Sequence, residues 1–133
     1  MKLSEVYKIA DELAPKQLSD EYCARYGAYD NSGILLDSGE EVKGVLFALD
    51  LTFAAIARAK EIGANLIICH HPAIYGKISD VRVDDEHLTG GKIVQCLKAG
   101  ISVIAMQSSA MLCCSPVASS ISSSRSGGLS ITW

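Results

Sequence analysis

The chain has 133 residues, of which 49% are hydrophobic and 20% charged, with a formal net charge of −3. That is the size and balance of one ordinary domain, able to bury about two-thirds of its unfolded surface. No run of about 20 apolar residues occurs, which argues against a membrane span, and no Lys/Arg cluster occurs, which argues against nucleic-acid binding through phosphates.

Glu5, Asp11 and Glu12 interrupt the first apolar stretch, so it does not read as a secretory signal. Five cysteines, an odd number without framework spacing, fit a reducing cytoplasm better than a disulfide scaffold.

Leu3, Val6, Ile9, Ala10 and Leu13 recur at helical spacing, with Ser4 as the expected N-cap and Ala14-Pro15 as the stop. A second short helix is expected near Ser19. Asp30-Asn31-Ser32-Gly33 is a turn by composition, followed by a short strand over 34–36 and a second turn at Asp37-Ser38-Gly39. The unbroken apolar run from Val45 to Leu49 predicts a strand buried on both faces. Thr52 can cap a helix from Phe53 to about Ile62, stopped by Gly63, and Leu66 to Cys69 forms the next buried strand. This is a β-α-β crossover with parallel strands. The polar segment from Ser79 to Gly91 shows no clear period. Lys92 to Ala99 then reads as a helix closed by Gly100, and Ile101 to Ala105 as a third parallel strand. The fold class is therefore α/β, a mostly parallel sheet with flanking helices.

The composition changes near residue 107. All 15 acidic residues and all three histidines precede Leu88, whereas Ser108 to Trp133 holds one charged side chain, Arg125, and ten serines. Residues 1–107 are read as the α/β domain and 108–133 as a Ser-rich tail expected to be disordered.

In open α/β sheets, ligands bind outside the carboxyl ends of the strands. The first parallel strand leads to Asp50, the second to His70-His71-Pro72 and the third to Met106-Gln107. A His-His pair suits divalent metals such as Zn, Mn, Fe or Co. Adjacent side chains on extended backbone point to opposite sides, so two neighbouring imidazoles share one ion only if the chain bends; Pro72 holds His71 extended, which favours two ions on either side of the loop. Two ions about 3.5–4 Å apart are a common hydrolytic device. Asp50 is read as a cap or as a partner of a ligand in preference to a direct ligand.

Each feature also has a plain structural reading. A His-His pair at a loop can hydrogen-bond backbone alone. Ser32 would need a histidine and an acid placed by the fold to act as a nucleophile. His87, in an acidic loop, reads as solvated, Cys69 and Cys96 as core thiols, and Cys113-Cys114 as incidental.

Pro15, Asp30-Asn31-Ser32-Gly33, Leu49-Asp50-Leu51-Thr52, Leu66 to Pro72, and Gly100 to Ile104 occur in this order at characteristic distances. Together they resemble the GTP cyclohydrolase 1 type 2-like family of hexameric proteins with a dinuclear metal centre. The resemblance runs from about Leu3 to Met106 and covers the front part of a family member. It implies a two- or three-layered α/β subunit, a toroidal homo-hexamer and two divalent metals per subunit in a cavity facing the ring interior. His70 and His71 match the family's paired metal-binding histidines. The implied activity is ring-opening hydrolysis of a nucleotide, with a non-enzymatic metal-binding or regulatory scaffold as the competing role.

After the third strand the family carries His-x-x-x-Asp, where this chain has Gln107 and Met111, and a further His-x-x-x-Glu pair belongs to the family's C-terminal part. The resemblance therefore leaves two of about five ligands here, and an inactive fragment becomes a third reading. The tail is also compatible with a one-base shift near codon 107. Joining each codon's third base to the next two permits aspartate at position 111 and Gly-Gly at positions 117 and 118. The coding DNA tests this: no single-base change there that opens His-x-x-x-Asp would refute it. A domain ending at the third strand is expected to leave that strand as an unpaired edge and to be marginal or prone to aggregate.

Overall fold

The computed structural model describes residues 1–83 and 89–107. The expectations for His87, for Cys113-Cys114 and for the tail over 108–133 lie outside those residues.

Among the described residues, four helices and four strands follow in the order α1 (Leu3–Leu13), α2 (Lys16–Tyr26), β1 (Gly33–Leu36), β2 (Val45–Ala48), α3 (Phe53–Ile62), β3 (Leu66–Cys69), α4 (Thr89–Lys98) and β4 (Ser102–Ala105). α1 starts two residues earlier than Ser4 would set it. Its N-cap is Lys2, whose backbone N–H donates to the Glu5 carboxylate at 2.7 Å, the reciprocal half of a capping box. α2 begins directly after Pro15, not near Ser19, because a carboxylate at the end of α1 is available: the Lys16 N–H donates to Asp11 Oδ1 at 2.7 Å. α3 has the expected cap, with the Ala55 N–H donating to Thr52 Oγ1 at 3.0 Å, and ends at Gly63 with φ 72°, a left-handed conformation suited to glycine. α4 starts at Thr89, three residues before the predicted Lys92.

The sheet order is β1-β4-β3-β2, with β2/β3 and β3/β4 parallel and β1/β4 antiparallel. The α/β, mostly parallel reading is thus met by a mixed sheet. The expectation that β4 would be an exposed edge is overturned. β1 pairs with it along Gly33–Ala105 and Ile34–Ile104, so both central strands are fully paired, and β3 and β4 are buried at every position.

One face of the sheet packs Ile67, Cys69 and Val103 against Ile56 and Ala59 of α3 and Cys96 of α4. The other packs Leu66, Ile68 and Ile104 against Leu3, Val6 and Tyr7 of α1. The result is three layers, α/β/α. β2 departs from its expected burial on both faces. Leu46 and Ala48 turn toward α3, but Val45 and Phe47 are 36% and 64% exposed. The cause is β2's place at the sheet edge, beyond the strands that α1 covers. An apolar run marks a strand without telling which of its neighbours reach it.

Candidate functional site

The carboxyl ends of β2, β3 and β4 and the amino end of antiparallel β1 lie at one edge of the sheet. Register brings the candidate residues together there. β2 and β3 pair Ala48 with Cys69, and two further backbone bonds join the segments just past the strands: the His70 N–H donates to the Ala48 carbonyl at 3.0 Å and the His71 N–H to the Leu49 carbonyl at 2.9 Å. Asp50 and His71 each follow that last pair by two residues. Their side chains meet, with His71 Nδ1 2.8 Å from Asp50 Oδ1 and both half-exposed at 44% and 53%.

The two imidazoles do not point to opposite sides of the loop. The chain bends at His70 and His71, and the rings stand 4.9 Å apart between centroids at an interplanar angle of 34°. The expectation of opposite orientations assumed extended backbone through both residues. The bend turns both side chains to one side.

The Asp30-Asn31-Ser32-Gly33 turn has a role that composition did not disclose. Asn31 Nδ2 donates to the Ile74 carbonyl at 2.7 Å, pinning the loop that follows His70-His71-Pro72. Beside that bond the rings of Tyr29 and Tyr75 meet edge to face at 5.3 Å. Ser32 Oγ lies 2.8 and 2.9 Å from the two Asp30 carboxylate oxygens and accepts the Gln107 N–H at 2.9 Å. Ser19 of α2 also donates to Asp30. Gly33 then takes φ 127°, which strongly favours glycine. The turn thus joins α2, the loop after β3 and the segment after β4. Ser32 makes these bonds to a carboxylate and a backbone amide, with no histidine among its partners, so its hydroxyl serves as a structural tie. The signal for Asn31 and Ser32 was present as a turn motif, but its targets are 43 and 75 residues away in sequence.

Cys69 and Cys96 are core thiols, at most 1% exposed. Burial pushes their pKa values up to about 12 and about 11, which keeps both protonated and unreactive near neutral pH. Among the described residues no group of three or more His, Cys, Asp or Glu side chains is placed to hold a metal ion, and no helix is long and apolar enough to cross a membrane.

Residues 1–109 match the Duf34/NIF3 (NGG1p interacting factor 3) family model. The chain is 35% identical over 104 residues to a Clostridium perfringens protein named GTP cyclohydrolase 1 type 2 homolog, covering 77% of this chain and 36% of the relative. A Campylobacter jejuni protein of the same name is 36% identical over 107 residues, 80% of this chain and 40% of that one. Among solved structures, a Bacillus cereus protein related to NIF3 superposes with a TM-score of 0.66 at 28% identity, over 80% of this chain and 27% of that one. A Staphylococcus aureus protein superposes with a TM-score of 0.69 at 30% identity, over 82% and 33%. The chain therefore spans well under half the length of these relatives. The match also runs through the Asp-Asn-Ser-Gly turn and the His-His-Pro loop that the fold ties together. This chain belongs to the Duf34/NIF3 family.

Proposed function

We propose that this chain carries the paired-imidazole portion of a divalent-metal site, and that a full-length relative uses such a site for hydrolysis of a nucleotide-like substrate. The observation that supports this reading is the placement of His70 and His71 on one side of a loop at the carboxyl ends of the central strands, with a carboxylate on one ring. The relatives' name, GTP cyclohydrolase 1 type 2 homolog, supports the nucleotide as substrate class.

Among the described residues the donor set fits in kind but falls short in number. Neutral imidazoles suit Zn, Fe, Mn and Co, and two rings on one side of a bent loop can share one ion or serve two neighbouring ones. A catalytic zinc takes three protein ligands, and residue 107 here is glutamine. When bound, a divalent ion supplies Lewis-acid polarisation and a hydroxide near neutral pH. Within this chain, His70 and His71 would hold the cation, Asp50 orients His71, and Asn31 fixes the loop that carries both. The short donor set among the described residues makes a non-enzymatic metal-binding scaffold the second reading. We further propose a homo-hexamer in a reducing cytoplasm. The free thiols of Cys23, Cys69 and Cys96 support the compartment.

Metal content after loading with Co(II) or Zn(II) and desalting tests the binding. The wild-type chain is expected to retain metal that the double variant His70→Ala/His71→Ala loses; equal, negligible content in both removes the site. Chelator-sensitive GTP turnover by a full-length relative separates enzyme from scaffold.

A further inference from the structure

The geometry points to Asp50 as a positioning residue that fixes the tautomer of His71 and presents its Nε2 as the donor atom at the sheet edge. An ionised carboxylate can only accept hydrogen bonds, so the proton in the 2.8 Å contact belongs to His71 Nδ1. In the neutral ring Nε2 then carries the lone pair. Free histidine favours the opposite tautomer, with the proton on Nε2, which would leave Nδ1 as the donor, facing Asp50 and unable to reach a cation at the edge. The carboxylate thus decides which nitrogen is offered.

The placement does not depend on a flexible loop meeting its target. Asp50 and His71 each lie two residues beyond the last β2/β3 pair, Ala48 and Cys69, and the backbone bonds of His70 and His71 to Ala48 and Leu49 hold the two segments together there. Just beyond, Thr52 caps α3 and Leu51 is buried, so the segment carrying Asp50 is anchored on both sides. Carboxylate partners of metal-binding imidazoles both orient the ring and raise its basicity. The identity of the ligand rests on the metal-binding reading above, whereas the tautomer does not.

Two measurements on the 133-residue chain keep these apart. The first uses metal-free protein at pH about 8, where ordinary imidazole is neutral. Long-range ¹H–¹⁵N spectra should show His71 as the Nδ1–H tautomer in wild type and shifted toward Nε2–H in Asp50→Ala, with His70 unchanged. An unchanged His71 spectrum in Asp50→Ala overturns the proposal. The second is Co(II) or Zn(II) affinity, which should fall by about 10–100-fold in Asp50→Ala. The isosteric Asp50→Asn should also weaken it, and Asp50→Glu should restore part of the loss. A tautomer shift without any loss of affinity overturns the role of Nε2 as the donor. Wild-type protein that takes up no metal refutes the metal reading, and the tautomer result stands independently of it.

Discussion

Replacing Ser32 by alanine tests the reading of its hydroxyl as a tie between segments. Ser32 is 8% exposed, and its Oγ donates to the Asp30 carboxylate while accepting the Gln107 N–H at 2.9 Å. Asp30 retains the Ser19 hydroxyl after the change, so the carboxylate loses one of its protein donors. The Gln107 amide loses its acceptor, and leaving such a donor unpaired costs about 1–3 kcal/mol, to which a lost charge-assisted bond adds about 1 kcal/mol or more. Gln107 is only half-buried, so water recovers part of this. The expected loss is about 2 kcal/mol, or roughly 6–10 °C in Tm for a chain of this size. Urea titration followed by far-UV circular dichroism should show a lower midpoint with an unchanged slope. A loss under about 0.5 kcal/mol would refute the tie, because that is the range of a surface substitution away from any such feature.

Gly90→Ala should be destabilising despite the helix setting. A Cβ there would stand 2.7 Å from the Asp80 carbonyl oxygen and 2.9 Å from Val81 Cα, and overpacking of about 1–3 kcal/mol outweighs a propensity gain of at most about 1 kcal/mol. A higher Tm for the variant contradicts this. The buried thiols set a pH dependence. Their folded pKa values, about 12 for Cys69 and about 11 for Cys96, lie above the ordinary value of 9.0, so the unfolded chain gives up these protons first as pH rises. Their contribution is complete below pH about 9 and declines between about 9 and 12, by about 3 kcal/mol at pH about 10. The double variant Cys69→Ala/Cys96→Ala should show a flatter stability profile over that range; an equal slope in both proteins argues against the assignment.

Much of the fold was legible because its signals are local. The helical spacing of Leu3 to Leu13, the Thr52 cap and Gly63 stop of α3, and the apolar runs of β3 and β4 each sit within about ten residues. What escaped depends on distant partners. Nothing near Ile34 shows that its strand pairs with Ile104 and removes the edge at β4. Nothing within the run Val45 to Leu49 reveals that α1 covers β3 and β4 but leaves Phe47 exposed. At the site, the rule of strand carboxyl ends located Asp50, His70 and His71 correctly at one edge of the sheet. The disposition of the rings was missed, since it follows from a backbone bend at His70 and His71 that the strong preference of residues before proline for extended conformations argued against.

The contact between Asp50 and His71 is inherited from strand pairing, and this separates it from the length of the crossover between them. Added turns in α3, or a longer connection before β3, would leave the imidazole and its carboxylate facing each other as long as Ala48 stays opposite Cys69. A slip of β2 by a single residue would do the reverse, turning Leu46 and Ala48 away from α3 and moving Asp50 out of step with His71, with every side chain still present. Variation in this molecule is therefore tolerable in the helical connection and intolerable in the alignment of two four-residue strands.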